Sequence, residues 1–219
     1  MTGASRRERL ARSRLYLCVD RRAERGDLEE LLDAACGAGV DLIQLRDKHA
    51  TGDELRDASE VFRAVARRHD ALFVMNDDPR LAAEAGADGV HVGQDDPSPD
   101  QARVAVGGDL LVGRSTHGVT QIDRALMEDC DYFTVGPVHT TPTKEGRPGI
   151  GLDPVRYAAE VAADRPWFVS GAMSAATVPA VLAAGATRLV VVRAITRAAD
   201  PAATARVLLR LLPTELARR

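Results

Sequence analysis

The stretch that decides the fold is residues 40–78, VDLIQLRDKHATGDELRDASEVFRAVARRHDALFVMNDD. It begins and ends with short apolar runs, at residues 40–45 and 71–75, which have the length and composition of buried strands. Between them, Gly52–Arg68 has the spacing of an amphipathic helix, with Thr51 placed as its N-cap. Two apolar strands joined through a helix are typical of a parallel βαβ unit whose strands are covered on both faces.

The same alternation recurs along the whole chain. Further strands are predicted at residues 15–19, 89–92, 110–113, 132–135, 167–169 and 188–192. Helical patterns separate or follow them at residues 28–38, 80–85, 100–106, 119–127, 153–163, 175–184 and 201–212, with Ser98, Thr120, Asp153 and Ser174 as further N-caps. Eight such units in 219 residues predict an α/β fold, a closed (β/α)8 TIM barrel.

One structural alternative is an open, doubly wound parallel sheet. Such a sheet more often carries a GxGxxG motif after its first strand, and this chain has none. No linker-like segment divides the chain, so residues 1–219 are predicted to form a single domain. Residues 1–13 are expected to be a disordered or helical N-terminal extension.

Composition excludes several classes of protein. Charged residues make up 28%, the net charge is −3 and aromatic residues are only 4%, so no basic, aromatic-rich surface for nucleic acid is expected. No stretch approaches the roughly 20 apolar residues that span a membrane. Cys18, Cys36 and Cys130 are odd in number and far apart, which predicts buried thiols of a reducing compartment. We therefore expect a cytoplasmic protein without nucleic-acid or membrane partners.

Polar side chains cluster where the predicted strands end. Gln44, Arg46 and Lys48 share one face because side chains alternate along a strand, and in a barrel that face points inward. Polar and cationic groups pointing inward are costly unless an anion meets them. A salt bridge to Asp47 or to an acidic residue on a helix is the alternative, but Asp47 points to the other face. The pattern predicts an anion site at the barrel mouth.

Two carboxylates follow the third and fourth strands, so Asp77 and Asp96 are expected to lie close together. Magnesium binds one or two protein carboxylates and completes its coordination with water and substrate phosphate. Their neighbours Asp78 and Asp95 are interpreted as helix N-terminal capping residues, which is also the alternative for the whole segments. We predict Mg²⁺ bound by Asp77 and Asp96.

A second group of residues suits a phosphate without a metal. Its hydroxyls come from Thr141 and Thr143 in a long loop. Lys144, which follows them, is instead expected at the diphosphate site with Arg46 and Lys48, and an ordinary solvated loop lysine is the alternative. Gly171-Ala172 and Val192-Arg193 follow the seventh and eighth strands, a recurrent phosphate-binding position in barrels. A simple tight turn is the alternative for the glycine. An enzyme with both anion sites would join, or exchange groups between, two phosphorylated molecules.

Ser115 and His117 follow the fifth strand. The pair could suggest a nucleophile and a base, but no acid at a fixed spacing completes a triad. Hydrogen bonding of Ser115 to a substrate is the interpretation we prefer.

The sequence motifs described above together resemble those of one protein family. The chain resembles thiamine-phosphate synthase (thiamine-phosphate pyrophosphorylase) in the order and spacing of its motifs from about residue 15 to 212. The shared motifs are Gln44-Leu45-Arg46-x-Lys48, Asn76-Asp77, His91-Val92-Gly93-Gln94-x-Asp96, Gly113-x-Ser115-x-His117, Gly136-Pro137-Val138, Thr141-x-Thr143-Lys144, Gly171 and Val192-x-Ala194-Ile195.

The resemblance implies a reaction and a set of residues. It implies condensation of 4-amino-2-methyl-5-(diphosphooxymethyl)pyrimidine with 4-methyl-5-(2-phosphooxyethyl)thiazole, by a dissociative Mg²⁺-assisted path, to thiamine phosphate and pyrophosphate. Lys144, Ser115 and Arg46 are the expected catalytic residues. The expected substrate-binding residues are Gln44, Leu45, Arg46, Asp47, Lys48, Asn76, Ser115, Thr141, Pro142, Thr143, Lys144, Gly171, Ala172, Val192 and Arg193. A homodimer is a candidate assembly, since it is common among such barrels.

The chain departs from the family pattern at three positions. Many relatives have glycine at the position of Ala172, serine at that of Arg193 and glutamate at that of Asp47. The first two departures concern the thiazole-phosphate side of the site.

Three other functions are alternatives to the reaction that the resemblance implies. A thiazole tautomerase has a similar barrel but needs no diphosphate-binding residues. A Schiff-base lyase or aldolase would use Lys144, although such a lysine should lie in an apolar strand. A non-catalytic phosphate-binding regulator would need no metal.

Overall fold

The computed structural model describes residues 1–141, 148–162 and 165–214. Within these residues eight parallel strands close into a barrel in sequence order, and β8 pairs with β1. The strands are β1 Leu15–Val19, β2 Leu42–Leu45, β3 Leu72–Asn76, β4 Gly89–Val92, β5 Leu111–Thr116, β6 Tyr132–Val135, β7 Trp167–Val169 and β8 Leu189–Val191. The (β/α)8 barrel is therefore confirmed, and the open sheet is excluded.

Helices alternate with the strands and cover the barrel. The described residues contain α1 Gly3–Arg12, α2 Leu28–Gly37, α3 Gly52–Arg68, α4 Pro79–Glu84, α5 Pro99–Val106, α6 Val119–Met127, α7 Asp153–Val161, α8 Val178–Ala183, α9 Arg193–Thr196 and α10 Pro201–Leu211. Their apolar faces and the outward-facing strand residues form the larger hydrophobic core. Strands buried on both faces explain why they appear in the sequence as continuous apolar runs.

Capping decides where several helices begin. Thr51 and Ser98 each form a capping box, as predicted. Three predicted caps are wrong. Gly118, not Thr120, precedes α6, and Asp153 is the first residue of α7 rather than its cap. At α8, Ser174 lies too early because the hydroxyl of Thr177 accepts the Ser174 N–H at 2.9 Å and delays the helix to residue 178.

The N-terminal extension is helical and closes the bottom of the barrel. Leu10 of α1 is 1% exposed and packs with the apolar side chains inside the barrel. Arg6 pairs with Asp88 (2.9 Å) and Arg7 with Asp131 (2.7 Å), at the amino ends of β4 and β6. The mouth at the carboxyl ends of the strands is thereby left as the accessible end, where barrel enzymes place their sites.

The three thiols are buried, as predicted. Burial raises the pKa of Cys36 to about 12 and that of Cys130 to about 11, so both are protonated at neutral pH. No helix within residues 1–141, 148–162 and 165–214 is long and apolar enough to cross a membrane.

Candidate active site

A cavity of about 300 Å³ lies at the mouth of the barrel. Its walls come from every strand or the turn that follows it. It brings together nine of the predicted residues, which are Gln44, Arg46, Asn76, Ser115, Thr141, Gly171, Ala172, Val192 and Arg193. Residues from both predicted anion sites therefore face one continuous space.

The β2 side of the cavity supplies an amide pair and a cation. Gln44 Nε2 donates to Asn76 Oδ1 at 3.2 Å, so two neighbouring strands present linked amides to the cavity. Arg46 continues the inward face of β2, and its guanidinium has no hydrogen-bond or ion-pair partner among the described residues. A guanidinium facing a cavity with its donors unused suits an oxyanion such as a phosphate.

The predicted metal ligands lie beside this wall. Asp77 forms an ion pair with Lys48, and Asp96 accepts the Gly93 N–H at 2.7 Å. Burial raises the pKa of the Asp77 carboxyl. Lys48 opposes this rise and the nearby Asp96 adds to it. Two carboxylates therefore lie close enough here for Asp96 to affect the pKa of Asp77. Neither of them lines the cavity itself.

The backbone at Asp77 is unusual. Its φ is 66°, in the left-handed region that non-glycine residues enter rarely, although aspartate tolerates it better than most. Its N–H donates to the carbonyl oxygen of His91 at 2.8 Å, which ties the end of β3 to β4. Asp78 then caps α4, as predicted. Backbone outliers of this kind concentrate at functional sites.

The donor set fits a magnesium ion. Groups of three or more acidic, cysteine or histidine side chains are absent from residues 1–141, 148–162 and 165–214, which excludes an all-protein cage there. Magnesium needs only one or two carboxylates because water and phosphate complete its octahedron. Asp77 and Asp96 are both partly accessible, so they are the residues that would hold the ion.

Ser115 is oriented by residues outside the predicted set. Its hydroxyl lies 2.9 Å from His91 Nε2, and its carbonyl oxygen accepts from Gln94 Nε2 at 2.6 Å. His117 does not partner it, because His117 Nδ1 lies 2.5 Å from the carbonyl oxygen of Gly136. The structure therefore contains no Ser115–His117 pair and favours the hydrogen-bonding interpretation of Ser115.

The turn after β7 brings backbone close to the cavity. Gly171 has a φ of 110°, and a Cβ there would lie 2.3 Å from Val138 N, so the position requires glycine. Ala172 follows with a φ of 54°, which costs a non-glycine residue roughly 1–2 kcal/mol. Ser170 Oγ is buried beside this turn without a hydrogen-bond partner among the described residues. An unsatisfied buried hydroxyl in a cavity wall indicates a ligand-binding position.

The end of β8 lies beside this turn, because β7 and β8 are neighbouring strands. Arg193 begins α9, and its Nη2 lies 3.5 Å from Thr141 Oγ1, a weak contact that leaves most of its donors unused. Val192 and Arg193 both line the cavity, as does the hydroxyl-bearing Thr141. The predicted monophosphate residues that the structure describes therefore surround one corner of the cavity.

Three of the predicted substrate-binding residues do not line the cavity. Lys48 was expected on the inward face of the barrel, but its side chain is 50% exposed because it pairs with Asp77 outside the cavity. Leu45 is fully buried in the outer core, so only its backbone is near the site. Asp47 pairs with Arg21 at 3.3 Å and lines a second cavity of about 630 Å³ that borders the first. Pro142, Thr143 and Lys144 lie outside the described residues.

Sequence reasoning missed part of the wall. Tyr16, Cys18, Thr134 and Ser170 line the cavity but were not predicted. The alternation that singled out Gln44 and Arg46 on β2 applies equally to β1 and β6, and extending it would have found the first three.

Fold and cavity together define the class, a (β/α)8 barrel with its cavity at the carboxyl ends of the strands, where barrel enzymes place their active sites. A family model described as thiamine monophosphate synthase matches residues 15–195. The chain belongs to this family of thiamine-phosphate synthases, and it is an enzyme of the transferase class.

Named relatives agree with this assignment. The chain is 51% identical to the thiamine-phosphate synthase of Mycolicibacterium smegmatis, over 90% of this chain and 91% of the relative. It is also 51% identical to the thiamine-phosphate synthase of Acidothermus cellulolyticus, over 90% of this chain and 93% of the relative. A solved structure of thiamine phosphate pyrophosphorylase from Pyrococcus furiosus superposes with a TM-score of 0.81 at 26% identity, over 93% of this chain and 96% of that one.

Proposed function

We propose that this enzyme condenses 4-amino-2-methyl-5-(diphosphooxymethyl)pyrimidine with 4-methyl-5-(2-phosphooxyethyl)thiazole, releasing pyrophosphate and forming thiamine phosphate. The carbon–oxygen bond to the diphosphate breaks first, and its electron pair leaves with pyrophosphate. The thiazole nitrogen then forms a bond to the methylene carbon. Atoms and charge balance without an oxidant, a reductant or a strong base. Membership of the family and the shape of the cavity support this choice.

The observation that carries the proposal is the continuity of the cavity. Arg46 and Asn76, at the ends of β2 and β3, form one group of residues, and Thr141 and Arg193, beyond β6 and β8, form another, and both groups line the same space. Two phosphorylated molecules bound by these two groups would have their organic parts in that shared space. Holding reactants together in one orientation removes a large entropic barrier. A regulator that binds one phosphate would need only one of the two groups.

The charged residues in and around the first group suit departure of a diphosphate. Negative charge grows on the leaving oxygen as the bond breaks, so fixed cations lower the barrier. Arg46 offers unused guanidinium donors and Lys48 an ammonium group, which Asp77 holds at the rim. Magnesium, held by Asp77 and Asp96, would neutralise further charge on the diphosphate. Lys144 is expected from the resemblance to join this set.

A dissociative path suits the rest of the cavity. The described lining contains no carboxylate that could act as a general base. Its hydroxyls and amides from Gln44, Ser115 and Thr134 can instead hydrogen-bond the pyrimidine ring and orient it. An electron-rich ring that stabilises a methylene cation then needs only orientation and exclusion of water.

Formation of product is the direct test. Purified enzyme, the pyrimidine diphosphate and the thiazole phosphate are expected to give thiamine phosphate and pyrophosphate in equal amounts, with Mg²⁺ restoring the activity that chelation removes. Leaving out either substrate should abolish both products. If intact, folded protein gives neither product, the proposal is wrong, and tautomerisation of the thiazole phosphate would be measured next.

Arg193→Ala is expected to raise the KM for the thiazole phosphate about tenfold. The substitution removes a charge-assisted hydrogen bond to the phosphate, worth roughly 1.5–3 kcal/mol. The KM for the pyrimidine diphosphate should stay within about twofold because Arg193 belongs to the group of residues assigned to the thiazole phosphate. Arg197→Ala, in the adjoining second cavity, is the matched control. Equal effects of Arg193→Ala on both KM values would contradict this assignment.

A further inference from the structure

Four polar side chains form a hydrogen-bonded chain through the interior of the barrel. Tyr16 Oη lies 3.3 Å from Tyr132 Oη, and Tyr132 Oη lies 3.2 Å from His91 Nδ1. His91 Nε2 in turn lies 2.9 Å from Ser115 Oγ. All four are buried, with exposed fractions of 1%, 0%, 6% and 7% in that order. The chain ends at the one member that we place against substrate, Ser115.

A glycine on β5, Gly113, leaves the space that these hydrogen-bonded side chains need. Gly113 lies two residues before Ser115 on the same inward face of β5. A Cβ at Gly113 would lie 2.2 Å from Tyr132 Cζ and 2.5 Å from His91 Nδ1. A side chain at residue 113 would therefore force Tyr132 and His91 apart. The glycine of the Gly113-x-Ser115 motif allows the contact that connects Tyr132 to Ser115 through His91.

Protons can point along the chain in two directions. Burial raises the pKa of both tyrosines, so each keeps its phenolic proton. In one direction Tyr16 donates to Tyr132, Tyr132 donates to Nδ1, and the Nε2 proton is donated to Ser115. The hydroxyl proton of Ser115 is then free to point into the cavity.

The opposite direction is less favourable. There Ser115 donates to Nε2, the Nδ1 proton goes to Tyr132, and Tyr132 donates to Tyr16. In this direction Tyr16 accepts the hydrogen bond that joins it to Tyr132. The phenolic proton of Tyr16 itself then has no acceptor among the described residues. Although Tyr16 borders the cavity, only 1% of it is exposed, so solvent reaches almost none of its surface to supply an acceptor. A buried donor left without an acceptor is the expensive case in hydrogen-bond energetics.

We propose that Tyr16 and Tyr132 hold His91 as its Nε2–H tautomer, and that His91 thereby keeps Ser115 Oγ as a hydrogen-bond donor to the bound substrate. His91, Tyr132 and Tyr16 are positioning residues, since they act through Ser115. The direction of the hydrogen bonds that run from Tyr16 to Ser115 is a property of the substrate-free protein. Only the identity of the molecule that receives the Ser115 hydrogen bond rests on the proposed function.

The tautomer can be measured without substrate. Long-range ¹H–¹⁵N correlation spectra of histidine-labelled protein at neutral pH distinguish a protonated Nε2 from a protonated Nδ1, and the His91 signals are those that His91→Gln removes. We expect protonated Nε2 and unprotonated Nδ1 in wild type, and a shift of population towards Nδ1–H in Tyr132→Phe. A wild-type protein with protonated Nδ1, alone or together with Nε2, overturns the proposal.

A double-mutant cycle tests the positioning role. Tyr132→Phe is expected to lower kcat about tenfold, the value of one hydrogen bond, with both KM values nearly unchanged. In a Ser115→Ala background the same substitution should lower kcat no further, because Tyr132 acts only through the hydroxyl that is already missing. A tenfold loss in both backgrounds would indicate general damage to the barrel and overturn the proposal.

Two variants complete the design. Tyr157→Phe removes a phenol whose partner, Asp123, lies on the surface, so it serves as the matched control and should retain wild-type kcat. His91→Gln places an amide donor near the position of Nε2 and is expected to retain more activity than His91→Leu. Equal losses in these two His91 variants would count against a donor role. If the wild type makes no thiamine phosphate, the proposed function fails while the spectra still decide the tautomer.

Discussion

The Asp96→Ala enzyme is expected to form thiamine phosphate at least about 100-fold more slowly than wild type at saturating Mg²⁺. A metal that neutralises charge on a leaving group supplies several kcal/mol of transition-state stabilisation, and about 2.7 kcal/mol corresponds to 100-fold. Asp96 and Asp77 are the two carboxylates that meet at the rim of the cavity, so loss of either leaves a single protein ligand. Initial rates over a Mg²⁺ titration measure the effect.

A second substitution separates metal binding from local structure. Asp96 Oδ2 also accepts the Gly93 N–H at 2.7 Å, and alanine removes that hydrogen bond along with the charge. Asp96→Asn retains an acceptor of the same size and removes only the charge, so it should still raise the Mg²⁺ concentration needed for half-maximal rate. Asp95→Asn is the matched control, since Asp95 is exposed and precedes Asp96 directly. Unaltered kcat and Mg²⁺ dependence in Asp96→Asn would contradict the metal assignment.

Arg46→Ala is expected to reduce kcat/KM for the pyrimidine diphosphate by about 100-fold or more. Its guanidinium faces the cavity without a partner among the described residues, so its donors remain for the substrate. Two charge-assisted hydrogen bonds to a diphosphate together contribute roughly 3–6 kcal/mol of binding free energy. Part of this free energy stabilises only the transition state. Steady-state kinetics with the second substrate held at saturation measures this loss.

The conservative variant and a neighbouring arginine sharpen the test. Arg46→Lys should recover part of the activity, because an ammonium keeps the charge but does not form a two-pronged contact with an oxyanion. Arg25→Ala changes an exposed arginine that borders the second cavity, and it should leave kcat/KM within about twofold of wild type. If Arg46→Ala binds and turns over the diphosphate like wild type, Arg46 is not part of the diphosphate site.

Element boundaries were predictable only as far as they depend on local chemistry. The helix Gly52–Arg68 has both its predicted ends, and it begins where predicted because Thr51 and Glu54, which are neighbouring residues, form a capping box. Strand β5 extends to Thr116, beyond the predicted end at residue 113, because pairing with β6 continues to Val135. Pairing between strands is a property of the assembled sheet, so the chemistry of a single segment does not reveal its last hydrogen bond.

The site likewise combines features that follow from local sequence with features that depend on the tertiary structure. Alternation along β2 correctly brought Gln44 and Arg46 to the cavity, since side-chain direction in a strand follows from backbone geometry alone. The partner of Asp47 proved to be Arg21, and that of Ser115 proved to be His91. Each pair joins residues more than twenty positions apart. Such pairs depend on how neighbouring strands are registered in the closed barrel.

The sequence by itself therefore determined the eight βα units, their closure into a barrel, the family and most of the polar residues at the mouth. These follow from local periodicity, capping and motif order, which each segment carries independently. Only the tertiary structure decided that residues of both predicted anion sites line one cavity and that Asp77 and Asp96 meet. It also decided that hydrogen bonds connect Tyr16 through Tyr132 and His91 to Ser115. Those relations are distances across the barrel, and such distances exist only once all eight strands have closed.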